Sequence, residues 1–280
     1  MSAPIVAATD GAAPGDAAVR WGAREAVRRG LALCIVYAHP EAHGHRPAAA
    51  VLEAAVAEAR AAAPDVVAEA VAVPGDPVTA LLGQEDAELI VLGNRGRGGF
   101  ASLLLGSVSQ RVATYATVPV VVVRGRAGTP GPVVAGVDDS APAEDVLAAA
   151  FEAAAVWGAP LAVVRCYRPP TPLWVGDIPS VAEVAPAVEA AERHRLEGQL
   201  EPWRRRFPQV DAEAVVSPDG AAAVLVAVSH SARLIVVGSR GHSTVTGTVL
   251  GSTGMQVLHH AGCPVFIART AGSRLGTIAA

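Results

Sequence analysis

Along this chain, short uninterrupted apolar runs alternate with longer stretches whose apolar positions recur every three or four residues. The short runs are rich in Val, Ile and Leu and bounded by Gly, Pro or Asp, as buried strands are. The longer stretches carry the period of amphipathic helices. In the first half the pattern predicts strands at 4–9, 31–38, 66–73, 88–92 and 119–123, and helices at 16–29, 48–63, 77–87 and 107–115. Ala17, Trp21, Arg24 and Arg28 mark the spacing of the first helix, and Pro77 suits a first helical position. In the second half strands are expected at 133–137, 161–166, 212–216, 233–237 and 265–268. Strands alternating with helices make a parallel sheet covered on both faces. The expected fold class is α/β, as two tandem doubly wound domains, each with a five-stranded parallel sheet.

The two halves repeat one glycine spacing. Gly93-Asn94-Arg95-Gly96 follows the run 89–92, and Gly106-Ser107 comes after nine intervening residues. Gly238-Ser239-Arg240-Gly241 follows the run 234–237, and Gly251-Ser252 comes after the same interval. Pro119-Val120-Val121-Val122 matches Pro264-Val265-Phe266-Ile267 at the same offset of 145 residues. The first strands are offset by only 128, so the second half carries extra residues in its middle. They fall at 168–207, read as a proline-rich loop and a longer helix. Segment 125–132, GRAGTPGP, reads as a linker and sets the domains at 1–127 and 133–270. The tail 271–280 has no periodicity.

Composition narrows the chemistry. The net charge of −4 gives no electrostatic case for nucleic acid. No apolar run approaches the ~20 residues of a membrane span, and no basic, signal-like segment opens the sequence. The three cysteines Cys34, Cys166 and Cys263 have neither metal nor disulfide spacing, which fits a reducing cytoplasm. The chain contains no lysine, which excludes P-loop and Schiff-base chemistry.

A glycine turn leaving a strand, followed by Gly-Ser opening a helix, builds a phosphate cradle from backbone N–H groups. Gly93 and Gly96 are expected to allow close approach of a ligand and positive φ. Gly106 clears space, and Ser107, Val108 and Ser109 supply the unpaired N–H groups of a first helical turn. The hydroxyls of Ser107 and Ser109 are expected to add two donors, and Arg95 and Arg97 to offset phosphate charge. In the second copy Gly238, Gly241, Gly251 and Ser252 hold the same roles, with Thr253 and Gly254 in place of Val108 and Ser109. Arg240 matches Arg95, His242 replaces Arg97, and the lost hydroxyl at Gly254 is expected to weaken this copy. Asp10 and Asp138 each end a first strand, outside the carboxyl ends where open α/β sheets take ligands. Such an acid can accept from ribose hydroxyls or hold Mg²⁺ through water; a helix N-cap is the plain alternative.

This constellation resembles the universal stress protein family in its tandem form, over essentially 4–270. The resemblance implies an adenine nucleotide alpha hydrolase-like domain that binds ATP, with Mg²⁺ left open. It also implies a stress or dormancy role and intramolecular pairing of the domains through their last strands, a homodimer being left open. By position, the family's phosphate loop falls on Gly93, Gly96, Gly106, Ser107, Val108 and Ser109, its first-strand contacts on Ala8, Thr9 and Asp10, and an adenine contact on the Ala38 backbone. The second set is Gly136, Val137, Asp138, Cys166, Gly238, Gly241, Gly251, Ser252 and Thr253. Gly136 keeps a glycine common two residues before the acid; Ala8 does not, and its methyl is expected to crowd the base or ribose. Gly75-Asp76-Pro77 keeps a Gly-x-Pro that becomes Ser217-Pro218-Asp219-Gly220 in the second half.

The remaining polar features have plain readings. His39, His43 and His45 read as a solvated loop rather than a metal site, His259 and His260 as flanks of a helix, and 204–206 as a solvated helix end. The Cys166 thiol reads as packing, and Trp174 as a loop anchor rather than a lid. The expected function is a cytoplasmic ATP-binding regulator that is not an enzyme. A slow ATPase and a non-binding scaffold are the alternatives.

Overall fold

The computed structural model describes residues 2–39, 45–96, 105–168, 181–239 and 250–269, with backbone only at 45–47 and 181–184. His43, Arg97, Trp174, Arg240, Gly241, His242 and the tail 271–280 lie outside the described residues. The first half runs β1 (Ile5–Ala8), α1 (Ala13–Arg29), β2 (Leu33–His39), α2 (His45–Ala62), β3 (Ala68–Pro74), α3 (Pro77–Leu82), β4 (Leu89–Gly93), α4 (Ser107–Tyr115) and β5 (Val120–Val123). The second runs β6 (Val133–Val137), α5 (Ala143–Trp157), β7 (Leu161–Cys166), α6 (Val181–Arg206), β8 (Ala212–Ser217), α7 (Ala221–Val228), β9 (Leu234–Gly238), α8 (Ser252–His260) and β10 (Val265–Ala268).

All ten strands join one sheet in the order β3-β2-β1-β4-β5-β10-β9-β6-β7-β8. Pairing is parallel within each half; β5 and β10 meet antiparallel, with Val121 opposite Phe266. Helices α1, α2, α5 and α6 cover one face, and α3, α4, α7 and α8 cover the other. The central strands β4, β5 and β10 are buried on both sides, which is why they read as unbroken apolar runs rather than alternating ones.

Three helix boundaries differ from the periodicity by three residues or more, one of them the start of α2 at His45 rather than at 48. α1 begins three residues early, at Ala13, because Pro14, which has no N–H, fits a first turn whose N–H groups have no helical partner. It stops where Gly30 turns left-handed at φ +65. α3 ends at Leu82 rather than at 87: Gly83 closes its last bond on Thr79 O, and 84–87 continue as turns.

Arg124 and Arg269 cross between the halves. Arg124, just after β5, donates to Leu258 O near the end of α8; Arg269, just after β10, donates to Ala113 O and Thr114 O near the end of α4. Each places a cation at a helix C-terminus, where carbonyls lack partners. On the other face, the Trp157 indole N–H of α5 donates to the buried Glu25 carboxylate of α1 at 2.7 Å. Arg29 holds the same carboxylate at 2.6 Å, while Arg28 and Arg233 lie 5.5 and 5.7 Å from the Trp157 ring.

Candidate functional site

Each half reverses its strand order between the first strand and the fourth, β1 beside β4 and β6 beside β9. Helices leave opposite faces there, so a crevice opens beyond the carboxyl ends of the strands. The first crevice is a cleft of about 370 Å³ and the second of about 340 Å³. The first is lined by Ala8, Thr9, Asp10, Ala38, Gly93, Arg95, Gly96, Gly106, Ser107, Val108 and Ser109. The second is lined by Gly136, Val137, Asp138, Cys166, Gly238, Gly251, Ser252 and Thr253. The sequence-selected positions are thus brought together in each half; Arg240 and Gly241 lie outside the described residues.

The cradle forms for a local reason. α4 makes its first helical bond from Gln110 N to Gly106 O, and α8 from Met255 N to Gly251 O. That leaves the N–H groups of 107–109 and 252–254 outside the helical ladder and at the cleft floor. The loop that enters each helix is pinned at its neck: Gly106 N donates to Asn94 O at 2.8 Å, and Gly251 N to Ser239 O at 2.9 Å.

The glycines serve close approach, not unusual φ. Neither Gly93 nor Gly96 is among the glycines with positive φ, which corrects the expectation from sequence. A Cβ on Gly93 would lie 2.4 Å from Pro14 O, because α1 starts directly against the end of β4. A Cβ on Gly96 would lie 2.6 Å from Asp10 Oδ2, so the missing side chain lets the acid lean over the loop. Gly75, at φ +117 before α3, is a genuine left-handed position.

Neither acid is a helix N-cap, the plain alternative from sequence. Asp10 Oδ1 accepts from Ala12 N at 3.0 Å and Asp138 Oδ1 from Ser140 N at 3.0 Å. Each carboxylate therefore shapes the turn before its helix, while the N-cap of α1 is Ala12. Thr9 adds a second brace, its Oγ1 accepting from Gly11 N at 3.0 Å.

Ser109 also differs from expectation. Its hydroxyl donates to Gly93 O at 2.7 Å and is buried, so it bolts α4 to β4 instead of pointing a proton at a ligand. Gly254 consequently lacks a bolt rather than a phosphate donor. The Ala8 methyl, expected to crowd the first site, leaves a cleft no smaller than the second. A methyl at Gly136 would instead meet Leu225 Cδ1 at 2.7 Å.

Sequence reasoning missed the apolar walls: Val36, Pro77, Leu81 and Leu92 in the first cleft, and Val164, Ala221, Leu225 and Val237 in the second. The signal was available in Pro77 and Leu81, four apart and so on one side of α3. Burial, and then Asp219, push the Cys166 thiol above its ordinary range, so it lines the second cleft as a neutral group. No cluster of three or more His, Cys, Asp or Glu could hold a metal among the described residues.

A family model described as the universal stress protein family matches residues 1–124 and 131–269, both halves of this arrangement. The chain belongs to the universal stress protein family. A universal stress protein of Mycobacterium tuberculosis is 33% identical over 291 residues, covering 95% of this chain and 96% of its own. One from Mycolicibacterium smegmatis is 32% identical over 288 residues, with the same coverage. The crystal structure of a universal stress protein from Archaeoglobus fulgidus superposes with a TM-score of 0.69 at 20% identity, over 95% of this chain and 96% of that one. That likeness extends the family's fold to both halves. Among the described residues, no helix is long and apolar enough to cross a membrane.

Proposed function

We propose that this protein binds adenine nucleotide, ATP in the first instance, in one or both clefts, and acts as a regulator of the stress response with little or no hydrolysis. One observation carries the reading. In each half, the N–H groups of a helix start lie on the floor of a crevice whose apolar wall and volume suit a small organic ligand. Phosphates would take the amides of 107–109, with Arg95 beside them, and the base would take the apolar wall of Val36, Ala38 and Leu81. A divalent cation would fit only as part of the nucleotide. Each cleft offers one acid, Asp10 or Asp138, already engaged in its turn, which suits a Mg²⁺ that keeps its waters and the phosphates as ligands.

The chemistry favours binding over turnover. The chain has no lysine to ride on the β and γ phosphates, and the Ser109 hydroxyl is committed to Gly93 O. Binding would act by mass action: ligand at about a hundred times Kd stabilises the loaded state by about 2.7 kcal/mol.

The test begins with the purified protein, denatured, and the released small molecules identified by mass spectrometry. Retained ATP is expected, with an upward thermal shift on adding more. Gly106→Glu with Gly251→Glu puts a carboxylate in each cradle and is expected to abolish retention while far-ultraviolet dichroism stays the same. Steady release of ADP would make the protein an ATPase. No retention and no shift at millimolar nucleotide would leave a scaffold.

A further inference from the structure

The two clefts are braced by different means, and the difference points to one residue. In the first half the loop before α1 is held locally: Thr9 and Asp10 accept from the backbone of Gly11 and Ala12. In the second half Val137 stands where Thr9 stood, and the loop before α5 has the Asp138–Ser140 bonds and Ala143 N donating to Ser140 O. It gains a long-range tie instead. Arg165, the penultimate residue of β7, donates from Nη2 to Asp139 Oδ2 at 2.5 Å and from Nε to Glu192 Oε2 of α6 at 2.6 Å. Asp139 adjoins the cleft residue Asp138, and Glu192 belongs to α6, the longer counterpart of α2. The neighbours Val164 and Cys166 line the cleft, so Arg165 lies on the opposite face of the sheet and acts from behind.

We infer that Arg165 is a positioning residue that ties the loop of the second cleft to α6, so that this helix sets how well the second cleft holds its ligand. The tie is rigid by construction: the arginine is 5% exposed and its planar fork grips two carboxylates in fixed directions. Stability alone is a poor account of it. Nη1 is buried with no hydrogen-bond partner among the described residues, and a buried ion pair with a leftover donor gains little over an apolar replacement. The first half has Tyr37 at the matching strand position, and Thr9 braces the loop there. Ordering in α6 and ligand occupancy of the second cleft are therefore linked.

The inference rests on the nucleotide reading for its ligand, and the experiment separates the two. Amide hydrogen exchange is followed in the full-length protein without nucleotide, for wild type, Arg165→Met, Arg165→Lys and Asp139→Asn. Faster exchange at 138–143 in Arg165→Met and Asp139→Asn is expected, with 10–16 unchanged and Arg165→Lys in between. ATP affinity is then measured by calorimetry with Gly106→Glu closing the first cleft, and separately with Gly251→Glu closing the second. Arg165→Met is expected to weaken the second cleft about fivefold or more and to leave the first unchanged. Exchange at 138–143 that does not move, or equal weakening of both clefts, overturns the inference. Should Arg165→Met fail to fold, Asp139→Asn decides alone, because Asp139 is half-exposed and its loss leaves the Arg165–Glu192 pair intact. A wild-type protein indifferent to ATP sinks the nucleotide reading, and the exchange comparison still decides the tie.

Discussion

In the first half, Ser109 fastens the cradle helix to the strand beside it; in the second, Gly254 stands at that place and Leu250 packs where a side chain would go, 2.9 Å from the point a Cβ would occupy. The loop before α1 is braced by Thr9 and Asp10, whereas the loop before α5 leans on Arg165. Yet both halves present the same N–H groups at the same helix starts and pin the same loop neck with a glycine amide. The lesson is about what a main-chain site demands of sequence. The donors belong to the backbone, so the site requires only glycines where chains pass closely and a helix that begins at the right residue. Side chains around it were free to diverge, and did. At the β5–β10 seam the halves stayed matched: Arg124 and Arg269 mirror one another across it.

That contrast predicts unequal consequences. The largest should come from Gly93→Ala, because the new methyl meets the backbone of Pro14 at 2.4 Å and neither β4 nor α1 can yield cheaply. A loss of about 3 kcal/mol in urea unfolding is expected. Gly96→Ala should cost less, since its methyl meets the Asp10 carboxylate, which can rotate away. Equal losses at 93 and 96 would mean that close backbone approach is not what the motif requires.

Exchanging the bolt should have smaller and opposite effects. Ser109→Gly removes a buried hydroxyl bond and adds a flexible residue to α4, for a loss of about 1.5 kcal/mol. Gly254→Ser offers α8 a hydroxyl near Gly238 O, 3.6 Å from the new Cβ, and should gain about 0.5 kcal/mol after Leu250 shifts. Thermal unfolding of both variants checks the pair. A stabilising Ser109→Gly, or a strongly destabilising Gly254→Ser, would show that the two cradles are not the same object.

The fold was legible because its signals are local and repeated. Apolar runs of four or five residues could only be strands buried on both faces, and the offset of 145 residues fixed β4, α4 and β5 against β9, α8 and β10. The cleft floor was legible for the same reason, since glycine spacing is written in one short stretch of chain. What was not legible required tertiary contact. Nothing near Ser109 in sequence says that its proton goes to Gly93 O, sixteen residues away. Nothing near Arg165 announces Asp139 or Glu192, which lie 26 and 27 residues off. Glu25 of α1 is fully buried, and its carboxylate accepts from Trp157 of the other domain, 132 residues away. The positive φ expected at Gly93 and Gly96 is absent, and the crowding by Pro14 is invisible until α1 is packed on β4.

The smallest expected effect concerns the helix that walls each cleft. α3 is capped by Asp76, whose carboxylate accepts from Thr79 N at 2.9 Å and Thr79 Oγ1 at 3.1 Å; α7 begins at Gly220 with no side-chain cap. The bond from the Thr79 backbone, helped by its hydroxyl and by Arg111, holds the Asp76 carboxyl below its ordinary value. A carboxyl whose value falls on folding stabilises the folded state above the ordinary value, and that contribution disappears as pH drops through the lowered one. The window therefore lies below pH of about 4, and neutral solutions lie outside it. Asp76→Asn, which still caps a helix, should match wild type at pH 7 and lose less stability on acidification. Because Pro77 and Leu81 of α3 line the first cleft, wild-type exchange at 77–82 should rise on acidification before exchange at 221–228 does. Parallel acid profiles for wild type and Asp76→Asn, or simultaneous loosening of α3 and α7, would show that the cap does not distinguish the two walls.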